Sequence, residues 1–357
     1  SMGNDAALAV LSGENQLLFN YFKQLFAQVT NPPLDAIREE LVTSKATFIG
    51  SEQNLFDETP LHCRQLSIHS PILSDEELEQ IRRLDMPGIK SVTLSMLFDP
   101  AKGKGGLETG LDTLCQGASS AIEQGCNILI LSDKGVDANH VPIPSLLATS
   151  AVHHHLIRKG TRTKIGLVIE SGEPREVHHF ALLVGYGAGA IHPYLALQTA
   201  RKLVIDGEID DVQASYAGDN FIKANEKGLI KVMSKMGIST VQSYRGAQIF
   251  EAIGLSQDLI DRYFTGTPSR IEGIGLDDLE HDALERHAGA FDELDLSGQK
   301  VLEPGSFYQW RRGGEVHQWN PESISKLQDA TRSNDRVKYL EFAQQVNDQS
   351  KQMATLR

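Results

Sequence analysis

Charged and hydroxyl side chains stand just after several apolar segments of this 357-residue chain, where they could form a ligand-binding site. A lysine in such a position can form a Schiff base or bind a phosphate group, and Lys134 and Lys235 are the candidates. The same loops could instead form a salt-linked surface or a contact surface for another domain. The candidate ligand-site residues are Asp133, Lys134, Glu170, Glu173, Ser243, Tyr244 and Arg245.

From residue 91 onward, apolar segments of strand length alternate with segments of helical period. A continuous apolar run such as Asn127–Leu131 is typical of a strand buried on both faces. Leu107–Ile122 repeats its apolar residues every three or four positions, which predicts a helix that ends at Gly125. The predicted elements are strand Ser91–Phe98, helix Leu107–Ile122, strand Asn127–Leu131, helix Pro144–Lys159 and strand Lys164–Ile169.

This alternation predicts an α/β fold with a parallel sheet and helical crossovers. We expect a parallel (β/α) barrel-like domain, of which a degenerate TIM-type barrel is one form. In such a barrel the loops after the strands lie on one face, where active sites form. Asp133, Lys134, Glu170 and Glu173 are therefore expected to converge with Ser243–Arg245.

The segment Lys231–Leu255 predicts a helix end, a strand and a new helix. Gly237 stands where a helix can end in a left-handed conformation. Ile238–Ser243 is rich in β-branched residues and has the length of a strand. Ala247–Gly254 returns to helical spacing. We expect one α–β–α unit of the parallel sheet here.

Both ends of the chain are predicted to be less regular than the middle. Leu17–Val29 has a broad apolar helical face and is followed by a Pro-Pro pair, and Asp35 is expected to cap the next helix. Phe307–Trp319 contains both tryptophans and a Gly-Gly turn, which predicts an exposed hairpin or arm. Arg332–Arg357 predicts a polar linker helix. The predicted organisation is a cloning remnant at 1–2, a helical and irregular segment at 3–90, a barrel-like core at 91–300, and an aromatic arm with a linker helix at 301–357.

Composition and charge argue against several classes of protein. The net charge is 34 − 47 = −13, which disfavours nucleic-acid binding because the phosphate backbone would be repelled. Cys63, Cys115 and Cys126 lack the spacing of a zinc site, an iron–sulfur site or a disulfide framework, and Cys115 is expected in the core. With no apolar run near 18 residues, no membrane span is predicted, and a reducing cytoplasm is expected.

Histidines and glycines give no metal or phosphate signature. His153–His155 lies within a predicted helix, so the three side chains point in different directions and cannot bind one metal. Gly185–Ala190 lacks the G-x-G-x-x-G spacing and follows a helix rather than a strand, which predicts a tight turn or close packing. We therefore expect neither a metal nor a dinucleotide site.

Several long strings of the sequence resemble one known family. KVMSKMGISTV, SYRGAQ and FEAIGL within Lys231–Leu255 resemble the central domain of the glutamate synthase large chain. GYGAGAIHPY at Gly185–Tyr194 and YFTGTPSRIEGI at Tyr263–Ile274 resemble the same domain, as does FAQVTNPP at Phe26–Pro33. The resemblance extends from Gly3 to about Tyr339.

The resemblance implies a place in an enzyme that makes two glutamates from glutamine, 2-oxoglutarate and a reductant. In that family the segment matching FAQVTNPP faces the glutaminase domain at the mouth of an ammonia passage, which makes Thr30 and Asn31 the candidate passage residues. Their hydroxyl and amide groups can hydrogen-bond neutral ammonia without a charge that would trap ammonium. The domain would scaffold the two active sites and wall part of the passage.

The resemblance also implies that catalysis occurs elsewhere in the parent protein. FMN and an iron–sulfur cluster belong to the family's synthase domain, so we expect no cofactor and no catalytic residue in this chain. The implied partners are the adjacent glutaminase and FMN synthase domains, with a reductase subunit or ferredoxin as electron donor. Two alternatives remain: an autonomous barrel enzyme with its site on the post-strand loops, or a protein-interaction module that uses the tryptophan arm.

Overall fold

The computed structural model of this chain describes residues 5–25, 35–84, 86–291, 305–348 and 354. Its strands are β1 (Phe22–Gln24), β2 (Thr47–Ile49), β3 (Leu66–Ile68), β4 (Ser91–Ser95), β5 (Leu97–Phe98), β6 (Ile128–Ser132), β7 (Val141–Pro142), β8 (Gly166–Glu170), β9 (Ala190–His192) and β10 (Phe250–Ala252). Its α-helices are α1 (Ala36–Val42), α2 (Asp75–Arg82), α3 (Gly106–Glu123), α4 (Ser145–Arg158), α5 (Val177–Gly185), α6 (Tyr194–Ile205), α7 (Ala214–Lys235), α8 (Val241–Tyr244), α9 (Gln257–Tyr263), α10 (Leu276–Phe291), α11 (Pro321–Ser333) and α12 (Arg336–Asn347).

Four strands form a parallel sheet in the order β4-β6-β8-β9. Sequence neighbours are also neighbours in the sheet, and α3, α4 and α5 make the crossovers between them. Leu129 of β6 pairs with Val92 of β4 on one side and with Leu167 of β8 on the other. The predicted α/β fold with a parallel sheet is therefore confirmed.

Alternate side chains of the sheet enter two separate apolar clusters, as the two-residue period of a strand requires. The larger cluster joins α3, α4 and α5 to Leu129, Leu131, Leu167, Ile169 and Ile191. The smaller cluster contains Ile49, Leu73, Leu78, Ile81, Ile128, Ile130, Val168 and Ala190. Both faces of β6 and β8 are thus buried, which explains their continuous apolar sequences.

The second face of the sheet is covered by α2 and by the two-stranded sheet β2–β3 of the N-terminal segment rather than by further parallel strands. Leu78 and Ile81 of α2 and Ile49 of β2 occupy the position that opposite strands would fill in a barrel. Beyond β9, Ile72 pairs in parallel with Ile191 and extends the sheet by a single bridge. Among the described residues no sheet closes on itself, so barrel closure is not observed.

Local signals account for several helix boundaries. The Asp35 carboxylate accepts hydrogen bonds from the backbone of Ile37 and Arg38 and begins α1, as predicted. Ser74 and Glu77 form a capping box at the start of α2. Gly237 adopts a φ of 72° just after α7, as predicted.

The predicted α–β–α unit at Lys231–Leu255 is wrong after Gly237. The Thr240 hydroxyl accepts a hydrogen bond from the Ser243 backbone and caps the short helix α8, so the β-branched run does not form a strand. Gln248 has a positive φ of 54°, which breaks the predicted helix. Phe250–Ala252 instead forms β10, which pairs antiparallel with β1.

Three predictions at the chain ends also need correction. The Leu17–Val29 helix is replaced by a 3-10 turn at Leu18–Tyr21 and by β1, and residues 26–34 lie outside the described residues. Of the predicted exposed hairpin or arm, the hairpin does not form among the described residues: the segment runs beside the N-terminus, where Ala6 bridges His317, and Trp310 and Trp319 are exposed. The helix predicted from Arg332 is broken at Asn334, whose φ is 48°.

Candidate functional site

The carboxyl ends of β6, β8 and β9 bring together a group of buried polar side chains. Asp133 and Lys134 follow β6, Glu170 ends β8, and Glu173 lies three residues further. The structure therefore gathers these four predicted residues at one edge of the sheet, because parallel strands end on the same side.

Glu170 is the centre of this group and is only 1% exposed. Its Oε2 atom accepts a 2.5 Å hydrogen bond from the Ser132 hydroxyl and lies 2.9 Å from the Arg82 guanidinium. Lys134 Nζ is 3.9 Å from Oε1, which accepts no hydrogen bond from the described residues. A buried carboxylate needs such a partner, and Arg82 supplies it from α2.

Asp133 lies beside this pair and is 2% exposed. Its carboxylate accepts hydrogen bonds from the Ser171 hydroxyl and from the Gly172 backbone at 3.2 Å, and the Tyr194 hydroxyl is a further partner. Burial raises the pKa of Asp133 to about 6, and the nearby Glu173 carboxylate adds to the rise.

Glu173 holds the start of α4. Its Oε2 atom accepts 2.7 Å hydrogen bonds from both the backbone and the hydroxyl of Ser145. A carboxylate at the N-terminus of a helix satisfies free N–H groups and interacts favourably with the helix dipole. This contact is therefore structural.

A histidine in contact with a carboxylate lies at the end of β9. His192 Nε2 lies 2.9 Å from Asp75, and Arg201 lies 2.6 Å from the other oxygen of the same carboxylate. Arg82, Asp75 and His192 are not among the predicted site residues. The capping sequence at Ser74 could have located α2, but no local signal shows that this helix packs against the sheet.

The predicted convergence with Ser243, Tyr244 and Arg245 is wrong. Arg245 reaches the carbonyl of Phe48 and the carboxylate of Glu52, and the Gly246 backbone donates to Gly185 at the end of α5. These contacts lie at the amino ends of the strands. Because the strand predicted before Ser243 does not form, its loop does not reach the carboxyl edge.

The three histidines of α4 have separate surroundings. His153 Nδ1 accepts a hydrogen bond from Arg162, His154 is buried, and His155 Nε2 lies 2.9 Å from the Ser119 hydroxyl. No group of three or more His, Cys, Asp or Glu side chains in the described part of the chain is arranged to hold a metal. Cys115 is buried in α3, as predicted, and burial raises its pKa to about 11.

Clefts in the described part of the chain lie beside other residues than the three carboxylates. One of about 850 Å³ is lined by Lys23, Gln24, His178, Asn225 and Tyr308, among others. Another of about 400 Å³ lies between β4, β5 and α3. Thr30 and Asn31 lie outside the described residues, as does the whole of Phe26–Pro33.

The geometry of the carboxylate group favours a structural role over ligand binding. Ser132, Ser171, Ser145 and the backbone of Gly172 already donate to the three carboxylates. Arg82 covers the group from the α2 side. Within the described residues, no helix combines the length and the apolar character needed to cross a membrane.

Comparison with known proteins gives one consistent result. The profile of a family described as "Glutamate synthase central domain" matches residues 1–256. The glutamate synthase [NADPH] large chain of Bacillus subtilis is 50% identical over 349 residues, covering 98% of this chain and 22% of that protein. The glutamate synthase [NADH] of Schizosaccharomyces pombe is 41% identical over 361 residues, covering 100% of this chain and 17% of that protein.

The ferredoxin-dependent glutamate synthase 2 of Synechocystis is 42% identical over 342 residues, covering 92% of this chain and 22% of that protein. The chain thus spans about a fifth of the length of the curated relatives it matches. Among solved structures, a flavocytochrome b2 mutant with benzoylformate matches 38% of this chain and 32% of its own at 12% identity. Its TM-score of 0.32 is too low to support any argument.

Proposed function

The chain belongs to the glutamate synthase central-domain family, and from that premise we propose that it is a spacer within a longer protein. In this proposal it holds a glutaminase domain and an FMN-containing synthase domain at a fixed distance. The parent enzyme would convert glutamine, 2-oxoglutarate and a reductant into two glutamates. The chain itself would carry no reacting group.

The observation that carries the proposal is the packing of the polar side chains at the carboxyl ends of β6 and β8. A barrel enzyme needs an open polar pocket there. Here Glu170 and Asp133 are buried and already hydrogen-bonded to Ser132, Ser171 and Gly172. The edge is therefore built as packed structure, which suits a rigid spacer.

The residues at this edge do not fit FMN. A flavin phosphate would meet the carboxylates of Asp133, Glu170 and Glu173, which repel an anion. The free thiols Cys115 and Cys126 are buried, and Cys63 is exposed. We place FMN and an iron–sulfur cluster in parts of the parent protein other than this chain.

The electron donor of the parent is proposed to be a reductase subunit or ferredoxin. The printed names of the relatives include NADPH, NADH and ferredoxin forms, which supports either partner. A cytoplasmic location is proposed because the three cysteines are free thiols.

The parallel sheet is proposed to be a degenerate (β/α) barrel within a core at 91–300, with a segment at 3–90 before it and an arm at 301–357 after it. Four parallel strands in chain order with helical crossovers support that origin. In this proposal α2 and β2 have replaced the missing strands on the inner face.

The second part of the proposal concerns Thr30 and Asn31, which would line an ammonia passage. Their support is the resemblance of Phe26–Pro33 to the family's passage segment. Ammonia protonates quickly at neutral pH, and ammonium is a poor nucleophile, so a sheltered route preserves reactivity. Neutral hydroxyl and amide groups can hydrogen-bond ammonia without trapping its cation.

One experiment tests the spacer role directly. The purified chain is mixed with FMN, glutamine and 2-oxoglutarate, and flavin absorbance and glutamate formation are followed. We expect no bound flavin and no turnover. Specific flavin binding or substrate conversion would overturn the proposal and favour an autonomous enzyme.

A second experiment tests the passage in the longer protein. Thr30→Val and Asn31→Leu are compared with Thr331→Val, which changes an exposed threonine of α11. We expect the first two variants to release more free ammonia for each glutamate formed. An unchanged ratio in both would remove Thr30 and Asn31 from the passage.

A further inference from the structure

Two arginine side chains lie close together at the amino ends of β8 and β9. The carboxylate group lies at the other end of these strands. Arg162 follows α4 and donates to the carbonyls of Ile165 at 2.7 Å and Gly187 at 2.8 Å. Its Nε donates to Nδ1 of His153 at 2.9 Å. All three acceptors are neutral, so these bonds fix the guanidinium without neutralising its charge.

His153 adds no charge to the site around Arg162. Burial, and then the Arg162 guanidinium, lower the pKa of His153 to about 2, which keeps the imidazole neutral. Gly187 permits this close contact, because a Cβ atom there would lie 2.3 Å from His153 Nδ1 and its φ is 115°. The position of Arg162 is therefore set by the backbone around it.

The hydrogen bonds of Arg245 are longer than those of Arg162. Among the described residues its hydrogen bonds are long: 3.5 Å from Nη1 to the Phe48 carbonyl and 3.4 Å from Nη2 to Glu52. A guanidinium has five N–H donors, so most donors of Arg245 have no acceptor among the described residues. The side chain is 14% exposed and is thus partly accessible to solvent.

The two arginines carry more positive charge than their surroundings balance. Burial, and then the nearby Arg245 guanidinium, lower the pKa of Arg162 to about 10. In the described part of the chain, Glu52 is the one carboxylate that acts on either arginine, and its side chain is half exposed. One unit of positive charge remains on two side chains that are only partly exposed, so binding of an anion there is favourable.

We propose that Arg245, supported by Arg162, forms a binding site for a carboxylate group that the described residues of this chain do not supply. A guanidinium matches a carboxylate by two parallel hydrogen bonds, and the remaining donors of Arg245 provide that fork. Glu52 balances one of the two arginine charges, and the single negative charge of a carboxylate balances the other. Phosphate carries nearly two negative charges, which is more than the remaining positive charge.

The residues around Arg245 add a second chemical feature. Phe48 is exposed although it lies in β2, because the alternation of that strand directs Thr47 and Ile49 inward. Gln242 donates to the Phe48 carbonyl at 3.4 Å, and its own carbonyl oxygen has no partner in the described residues. The surroundings of Arg245 thus include an exposed aromatic ring, which suits a carboxylate on an apolar stem.

The test is a thermal-unfolding titration of the purified chain with sodium acetate and sodium succinate. Sodium chloride at equal ionic strength is the reference. We expect a saturable rise in Tm of roughly 1–3 °C at about ten times Kd with carboxylates and no saturable rise with chloride. Arg245→Gln should abolish the rise, whereas Arg270→Gln, which alters an exposed arginine paired with Glu251, should keep it.

The opposite results would overturn the site. A rise that is linear and equal in wild type and Arg245→Gln would show a general salt effect. A larger saturable rise with phosphate than with acetate would overturn the carboxylate assignment. If Arg245→Gln does not fold, Arg245→Lys replaces it, because lysine keeps the charge but lacks the planar fork, and retention of full acetate binding by that variant would contradict the proposal.

The longer protein distinguishes the two sources of the carboxylate. If an acidic side chain of another segment occupies the site, acetate should stabilise the isolated chain but not the longer protein. If the natural ligand is a free carboxylate, both should respond, and only Arg245→Gln should remove the response in each. The spacer role does not enter either outcome, so the two proposals can fail independently.

Discussion

The Arg82 guanidinium at the end of α2 lies 2.9 Å from the Glu170 carboxylate at the end of β8. Arg82 is 28% exposed, whereas the Glu170 side chain is 1% exposed. The pair links the helix that covers the inner face to the edge where a barrel enzyme would hold its substrate. It is therefore a central contact between the N-terminal segment and the sheet.

Arg82→Ala should destabilise the protein by about 3 kcal/mol, because it leaves the buried Glu170 charge without its cation. Urea unfolding followed by circular dichroism measures the change in the free energy of unfolding. Arg83→Ala is the matched control. Arg83 is 81% exposed and pairs with Glu79 at 3.5 Å, so its loss should cost less than about 0.5 kcal/mol. Equal losses in the two variants would show that Arg82 does not neutralise Glu170.

Asp133 should make the stability depend on pH. Its pKa is about 6 in the folded protein and 3.8 as the reference value, so the folded state binds the proton more tightly. Stability should therefore fall as pH rises from about 4 to about 6 and then level off. The shift corresponds to about 3 kcal/mol.

Asp133→Asn isolates this contribution, since asparagine cannot ionise and keeps an oxygen that can accept from Gly172. As pH rises from 4 to 7, the unfolding free energy of wild type should fall relative to that of Asp133→Asn. Asp219→Asn alters an exposed carboxylate of α7 and should show no such change. A constant difference for Asp133→Asn across this range would contradict the raised pKa.

The parallel sheet could be predicted because its signals are local. The apolar run at Ile128–Ser132 and the one at Gly166–Glu170 are buried at every position, as continuous apolar strands must be. The pair β1–β10 could not be predicted in the same way. Phe22 pairs with Ala252, and neither short segment contains information about such a distant partner.

The candidate site was predicted in part for the same reason. Asp133 and Glu170 follow strands that the sequence identifies, and parallel strands bring their carboxyl ends together. Arg82 precedes the sheet and reaches it only through the packing of α2, which no spacing reveals. Arg245 was misplaced because the Thr240 side chain caps a helix where β-branched residues indicate a strand.

His317 should stabilise the contact between the two ends of the described chain only while it is protonated. Nδ1 lies 2.9 Å from an Asp5 oxygen and Nε2 lies 2.6 Å from the Ser306 carbonyl, so both nitrogens donate. Burial lowers the pKa of His317, but the bonds to Asp5 and Ser306 and the charge of Glu315 outweigh it and raise the pKa above 6.5.

The stabilisation should be complete below pH 6.5 and should be lost as pH rises through the raised pKa. Unfolding of wild type and His317→Asn at pH 6 and pH 9 measures it, and the difference in unfolding free energy should shrink at pH 9. His69→Asn, at an exposed position, is the control and should show the same small difference at both values. An NMR titration that places the His317 pKa below 6.5 would contradict the expectation.

Gly166 should tolerate no side chain, because β8 passes close to the N-terminal segment at that residue. A Cβ atom there would lie 2.3 Å from the Ile49 side chain and 2.9 Å from the Gly50 backbone nitrogen. Gly166→Ala should therefore force β2 away from the sheet and lower the free energy of unfolding by roughly 2–3 kcal/mol. Gly117→Ala is the matched control, since its Cβ would meet Leu94 at an ordinary 3.5 Å inside α3. That change should stabilise the helix by up to about 1 kcal/mol, and similar effects of the two substitutions would show that β2 does not pack on β8.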